Sequence, residues 1–595
     1  MTQLEFPIMF MAVTVPIIGA LLFPLLERKT SDRVLAFTSF ILLALPPAAG
    51  LFLILNHGLG DGILDPVFFS KEIVGNFSMY LDWLSGLYLL GVGIVTPAVA
   101  LYSQSYMVNR IEKMESEGQV VPSLGIFYML YIIFSVSMVG TVLSTNLIQF
   151  YVFLKITVVS SFFLILLYGY GERTRTAMMY LIWSTLAGVF YLVGSLAVGA
   201  SLGTFDIINF ETLEINLGAG AGIHVLVPFA IFFGLMIKKA IFGVHMWLPY
   251  AHAEAPTPVS ALLSPNLIGI SGWAMIRIVM EMFPVQFQDM SLFLLVISYI
   301  TMIYGGLMAL AQDEFKRLLA YISVSQMGWV VFGLATLTTE GMVGGVLLFV
   351  KHSLSLSILF MSAGLLISRH DGLKYISDMG GFLSKIPVSS GLTALGFMIL
   401  VGSPFTIGFW TKTLIFSGAT KMPLLEGTGT VGFLITAAMI VIAACITAAY
   451  TFITLKRILF GEVRGLKESV VEGWTQSTIP MAVIGAIGVL MFFIPNTYIG
   501  PAYLPSVPVI LTEAAVFIAA YVWAFFFFQG WPQEFAKSLF KNFEIGIVDR
   551  LYHELTISGV MKASSILNNA HTGVLNTYLV WMLAGFLLVA FLLII

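Results

Sequence analysis

Apolar windows about 20 residues long, each bounded by charge, Gly, Pro or Asn, recur from one end of this 595-residue chain to the other. A window of that length matches the hydrocarbon core of a bilayer crossed at 1.5 Å per residue. The runs are continuously apolar and lack the period-2 alternation that membrane β-barrel strands need, so the expected element is the helix. About sixteen such windows predict an all-α polytopic membrane protein. Composition leaves no other class. Hydrophobic side chains make up 59% of the chain and charged ones only 10%, against roughly 25% charged in ordinary soluble proteins. Disorder, a disulfide scaffold and nucleic-acid binding are excluded together. The single cysteine, Cys445, forbids an internal disulfide and a cysteine-ligated cluster. Glu5 precedes the first apolar run and no basic n-region does, so residues 1–26 are expected to be a first span, not a cleaved signal.

The 28 Lys and Arg residues order these windows. Loops after odd-numbered spans hold 20 of them, and loops after even-numbered spans hold only Lys71 and Lys421. Basic loops stay in the cytoplasm, which predicts a cell-membrane protein with both termini outside. Six basic residues fall inside spans: Lys155, Lys238, Lys239, Arg277, Lys351 and Lys412. A charge at the centre of a span costs about 2.5–3.5 kcal/mol on insertion scales, so such residues usually serve a function. Snorkelling to the interface suits Arg277, near the end of its span, and Lys239 as well. It does not suit Lys155, Lys238, Lys351 or Lys412.

Two spans share a design. Span 7 (225–249) reads GLMIKKAIFGVHMWLP, with Lys238 ahead of Gly243, and span 12 (388–416) reads LVGSPFTIGFWTK, with Gly402 and Pro404 ahead of Lys412. Gly or Pro interrupting an apolar helix in corresponding places points to repeats around an ion pathway. Spans 4–8 and 9–13 are therefore expected to form two inverted five-helix repeats. The expected divisions are N-terminal spans over 1–122, the repeats over 123–283 and 284–460, spans 14 and 15 over 461–530, a lateral helix over 531–572 and a final anchoring span over 573–595. The lateral helix follows from Phe535, Leu539, Phe543, Ile547, Leu551 and Leu555 at every fourth position, with charges on other faces. Its roughly 35 residues would reach about 50 Å.

The stretch HMWLPYAHAEAPTPVSA (245–261) resembles the antiporter-like subunits of respiratory complex I, membrane-bound hydrogenase-type complexes and Mrp-type sodium/proton antiporters. DEFKRLLAYISVSQMGW (313–329), DMGGFLSKIP (378–387), GSPFTIGFWTK (402–412) and ITAAYTFITLKRILFGE (446–462) extend the likeness over spans 3–13. The layout, with a lateral helix before the last span, is similar to the distal complex I subunit and its hydrogenase-type relatives. The resemblance implies movement of H+, with Na+ as the alternative ion, through Lys238 and Lys412 on the broken helices, aided by His245, His252, His352, Lys351 and Glu254. Desolvation lowers a lysine's proton affinity and histidine titrates near neutrality already. The chain departs from the family at three places. Lys155 stands where the family has a glutamate on span 5, Gly269 where span 8 often has lysine, and Leu356 where span 11 has lysine. A carboxylate that would hold Lys238 protonated has thus become a second cation, and one of the two ammonium groups is expected to be neutral or paired elsewhere.

This chain carries no cofactor motif of its own; iron–sulfur clusters are expected in partner subunits, in a peripheral redox module. Other antiporter-like and small membrane subunits and lipid are the remaining expected partners. The leading expectation is an ion-translocating, non-catalytic subunit of a redox complex. A stand-alone Mrp-type exchanger and a non-pumping scaffold are the alternatives, the last supported by Lys155. Asp82, Glu281 and His57 are weighed as interfacial polar residues or as parts of an access route.

Overall fold

The computed structural model describes residues 1–499 except 61, 72–73, 209–222, 371, 426–428, 467–472 and 474, then scattered positions between 504 and 522, and residues 531–543. Among the described residues ten helices are long and apolar enough to cross a membrane, and four shorter apolar helices accompany them. The protein is an all-α, multi-pass membrane protein. Each of spans 1–14 contains a helix. Most of span 15, the lateral helix beyond residue 543 and the final span lie outside the described residues. The helix Trp531–Leu539 covers the start of the lateral segment. The chain divides into two compact units, Met1–Gln533 and Glu534–Ile595, and every residue discussed below belongs to the first.

The core of this unit is where the helices lose their amphipathic character. Spans 8 (Thr257–Met280), 10 (Phe315–Ala335) and 11 (Thr339–Arg369) are buried over their whole apolar windows, whereas span 2 (Asp32–His57) is mostly exposed on its apolar sides. A helix apolar on all faces and buried on all faces sits at the centre of a bundle, so these three form its axis. Span 5 (Leu147–Tyr168) packs on span 6 (Arg173–Leu202), and span 9 (Ser291–Ala311) packs on span 10 and on span 13 (Gly429–Leu459).

Both expected breaks are present. Span 7 is a helix Ile223–Lys238 and a second helix Trp247–Glu254. Span 12 is Pro387–Val401 followed by Ile407–Thr420. Each break contains two left-handed residues three positions apart: Ala240 (φ 55°) and Gly243 (φ 90°) in the first, Gly402 (φ 83°) and Phe405 (φ 66°) in the second. Left-handed backbone costs an L-residue about 1–2 kcal/mol, so Ala240 and Phe405 mark places where tertiary packing overrides local preference. Span 8 holds an irregularity that the apolar pattern does not reveal. It widens into π-helix at Leu263–Leu267, around Pro265, and again at Met275–Met280. Pro265 lacks an N–H, and π-turns accommodate such a gap.

Loops of like parity meet. After even spans, Met79 pairs with Ser144 and Asn146 with Asp206; after odd spans, Glu314 pairs with Tyr375 and Gly380 with Arg464. The Tyr170 amide donates to the Glu254 carbonyl between two further odd loops. On the even side a short three-stranded sheet joins Thr2–Gln3, Ile63–Leu64 and Tyr80–Leu81.

Candidate functional site

In the N-terminal half, Lys238 ends the first half-helix of span 7 and its ammonium is buried. It donates to the Ser184 hydroxyl at 3.4 Å and lies 5.5 Å from the ring of Tyr180 and 5.9 Å from that of Trp247. Trp247 in turn donates its indole N–H to the Ile237 carbonyl at 3.0 Å, which ties the second half-helix to the first across the break. Lys155 on span 5 is only half-buried, and its ammonium lies 5.2 Å from the Tyr151 ring. It packs on span 6 at Gly188, one turn beyond Ser184; a Cβ on Gly188 would come within 2.5 Å of the Lys155 nitrogen. The two cations therefore share one face of span 6. Among the described residues neither has a carboxylate at ion-pair distance. Aromatic faces and one hydroxyl carry the stabilisation that the span-5 glutamate would supply. Lys155 is thus a half-buried neighbour of Lys238 across span 6.

The C-terminal half is built differently. Lys351, fully buried on span 11, donates to Gln326 Oε1 at 2.6 Å and to the Leu400 carbonyl at 2.8 Å. Gln326 passes the contact on, donating Nε2 to the Tyr450 hydroxyl at 2.8 Å. The Leu400 carbonyl is available for a plain reason: the residue four positions on is Pro404, which has no N–H to give it. The span-12 break thus creates an acceptor and Lys351 occupies it. Lys412 is buried in the second half-helix, its ammonium 5.0 Å from the Trp329 ring and its stem beside Gly402. Gln326 and Trp329 sit one turn apart on span 10, so one helix face serves both lysines.

The histidines separate into three settings, all buried. His245 lies in the span-7 break against Phe242 and Tyr304. His252 lies against Phe360. His352 follows Lys351 directly on span 11. Neither ring nitrogen of His252 or His352 has a hydrogen-bond partner among the described residues. Glu254 stands apart from the mid-membrane line. It is half-buried at the odd-loop end of span 7, its carboxylate beside Gly171.

Four basic residues differ from expectation. Arg277 does not snorkel; it is ion-paired with Asp82 and, at 3.0 Å, with Glu281, and so gathers two of the interfacial acids into one cluster. Lys239 does not snorkel either, being completely buried. Lys316, sorted by sequence with the loops, is buried and donates to the carbonyls of Ala253 (3.0 Å) and Ala255 (2.6 Å) at the C-terminal end of span 7. A cation there also meets the negative end of the helix dipole. Arg110 is likewise buried, donating to the Tyr168 and Gly169 carbonyls and stacking on Tyr170 at 3.9 Å. Gln326 and Tyr450 carried no sequence signal, since neutral polar residues are ordinary in long spans. Lys316 had one, the charged DEFKR run, but hydropathy weighs only near neighbours.

The family described as NADH:quinone oxidoreductase/Mrp antiporter, TM, matches residues 144–447, which hold both broken helices and every lysine of the buried line. The chain is 29% identical over 468 residues to NAD(P)H-quinone oxidoreductase chain 4 1 of Synechococcus elongatus, covering 78% of this chain and 83% of that protein. It is 31% identical over 399 residues to F(420)H(2) dehydrogenase subunit M of Methanosarcina mazei, covering 65% and 74%. Its fold is similar to a chain of the Mrp complex from Dietzia sp. DQ12-45-1b, with a TM-score of 0.78 at 21% identity, over 98% of this chain and 63% of that one. With both interrupted helices and their lysines inside the matched region, the chain belongs to the NADH:quinone oxidoreductase/Mrp antiporter family of antiporter-like membrane subunits.

Proposed function

We propose that this chain moves protons across the cell membrane through its buried lysines and histidines, driven by electron transfer in partner subunits of a complex I-related or membrane-bound hydrogenase-type complex. The observation that carries this reading is the seat of Lys351, an ammonium held at mid-bundle by Gln326 and by the carbonyl that the span-12 break leaves free. A titratable cation on an interrupted helix can lose its proton when a neighbouring charge changes and regain it from the other side. Lys412, Lys351, His352 and Lys238 supply such groups, with His245 and His252 beside them, Lys155 modulating Lys238 and Glu254 near the odd-loop mouth. The choice of H+ over Na+ follows from the same contact: the free carbonyl suited to a sodium ion is already taken by Lys351. The matching pairs of left-handed residues in the two breaks support the inverted-repeat reading of spans 4–8 and 9–13. The 20-to-2 bias of basic residues supports cytoplasmic odd loops and external termini.

The redox setting is favoured by the relatives, whose names are those of dehydrogenase and quinone oxidoreductase subunits. Iron–sulfur clusters would then reside in partner subunits. The likeness to an Mrp chain over 98% of this chain favours a second reading, a stand-alone exchanger. Gentle purification from the native membrane followed by mass spectrometry of every co-purifying subunit separates the two. Iron–sulfur and dehydrogenase-like subunits are expected; further antiporter-like and small membrane chains alone would establish the exchanger. In vesicles holding the purified complex, Lys412→Ala is expected to abolish ion uptake while electron transfer persists. Unchanged uptake would leave a scaffold role.

A further inference from the structure

Lys239 follows Lys238 directly, yet its side chain takes another course. Consecutive helical residues point about 100° apart. Lys238 faces Ser184 and Tyr180 on span 6. Lys239 faces span 8, where its ammonium and the hydroxyl of Tyr88 from span 3 (Trp83–Ser116) both border Gly272. A Cβ on Gly272 would lie 2.6 Å from the Tyr88 oxygen and 3.0 Å from the Lys239 nitrogen. Both residues are completely buried, and among the described residues neither the ammonium nor the hydroxyl has a hydrogen-bond partner.

We infer that Lys239 and Tyr88 form the proton link between the two halves of the chain, joining the Lys238 side to His352 and Lys351 by a route that stands in for span 8. The inference rests on the proton-moving function proposed above and adds residues that function does not use.

Three observations carry it. First, span 8 offers no titratable side chain at position 269, and it has no space for one. A Cβ on Gly269 would lie 2.1 Å from the ring of Phe349. Second, that same ring stacks on Tyr88 with centroids 4.1 Å apart. Phe349 is one turn before His352 on span 11, so the ring that closes the span-8 position also sets Tyr88 beside the turn bearing His352. Third, the groups around this point are the ones a proton relay needs. His352 follows Lys351 directly on span 11, and both of its ring nitrogens are unpartnered among the described residues. Asn266 Nδ2 is in the same condition nearby, its oxygen taken by Ser353. Buried polar atoms without protein partners are ordinarily met by water. A lysine amine that gains a proton from one neighbour can then release one to another. In the transfer, Lys239 takes a proton from the Lys238 side and releases one to a bridging water; the water passes one to the Tyr88 oxygen, which gives up its own towards His352. One N–H or O–H bond forms for each that breaks.

The test uses the purified complex in vesicles, with ion uptake measured per electron pair. Lys239→Met is expected to lower uptake tenfold or more, and Tyr88→Phe, which removes one oxygen, several-fold. Lys239→Arg should behave like Lys239→Met, because a guanidinium keeps its proton. Lys239→His should retain a measurable part of the uptake with its pH optimum moved to lower pH, as imidazole titrates near 6.5. A merely structural cation would give the opposite pattern, with arginine tolerated and the pH profile unmoved, and that result overturns the inference. If Lys239→Met fails to assemble, Tyr88→Phe decides, and uptake within twofold of the parent overturns the link. Lys412→Ala run in parallel distinguishes the two levels. Loss with Lys412→Ala but not with the Lys239 and Tyr88 variants removes the link and leaves the proposed function standing. No loss in any of them removes both.

Discussion

The two halves of this chain stabilise buried cations by different means. Around span 12, Lys351 is held by two directed hydrogen bonds, one to Gln326 and one to the carbonyl that Pro404 leaves free. Around span 7, Lys238 has one long bond to a hydroxyl and two aromatic faces, with a second cation on the same face of span 6. Hydrogen bonds to a charged group contribute about 1.5–3 kcal/mol, whereas an aromatic face contributes about 0.5–2 kcal/mol. The C-terminal half thus fixes its buried lysine by directed contacts, and the N-terminal half surrounds its own with weaker, less directional ones.

The largest expected effect tests this contrast directly. Lys351→Ala should lower ion uptake in vesicles by an order of magnitude or more, while Lys155→Ala lowers it less than twofold; equal losses would give Lys155 the same weight as the buried lysines. Next in size, Lys155→Glu sets a carboxylate beside Lys238 and should leave uptake unchanged or raise it. A collapse of uptake in that variant would make the cation itself a requirement of this half. A third comparison concerns the breaks alone. Both Gly243 and Gly402 are left-handed, but a Cβ at 243 meets nothing within 4 Å whereas one at 402 lies 2.9 Å from the Gly408 carbonyl oxygen. Gly243→Ala should therefore cost about 1 kcal/mol, the conformational term alone, and Gly402→Ala clearly more, as read from thermal unfolding of the complex.

The smallest effect lies outside the spans. Asp65 accepts the Phe10 amide at the start of the first helix, and burial pushes its carboxyl up from 3.8 to about 6. Between those values the unfolded chain has lost the proton and the folded one keeps it, so stability falls as pH rises through this window. Asp65→Asn keeps the acceptor and removes the charge. It should flatten the dependence and raise the melting temperature slightly above pH 6; a melt that still varies with pH as the parent does would exclude Asp65 as the cause.

Spans 1–14 and both breaks were legible because a bilayer imposes a length and because Gly and Pro act where they stand. Side-chain courses were not. Arg277 read as a snorkelling residue because its partner Asp82 lies 195 positions away. Lys239 read as a residue able to snorkel, unlike Lys238. The phase of a helix at its last turn, followed at once by a left-handed Ala240, is decided by packing against spans 3 and 8. Position 269 was legible as a missing lysine, but only the structure shows the ring of Phe349 in its place. The two-residue strands near the N-terminus carry no pattern, since their pairing follows from where the spans bring the loops.

Those loop pairings have a consequence for how the chain is made. On the even face residue 2 joins 63, 64 joins 80, 79 joins 144 and 146 joins 206. On the odd face 170 joins 254, 314 joins 375 and 380 joins 464. In these backbone pairings each stretch joins one that precedes it by fewer than 100 residues, whereas side-chain contacts such as Arg277 with Asp82 and Trp83 with Tyr498 close later. A ribosome delivering spans one at a time would therefore find each new hairpin caught on arrival by its predecessor. Each lysine inside a span lies between the two partners of one pairing, Lys155 within 146–206, Lys238 within 170–254, Lys351 within 314–375 and Lys412 within 380–464, so each loop pair closes soon after its lysine has entered.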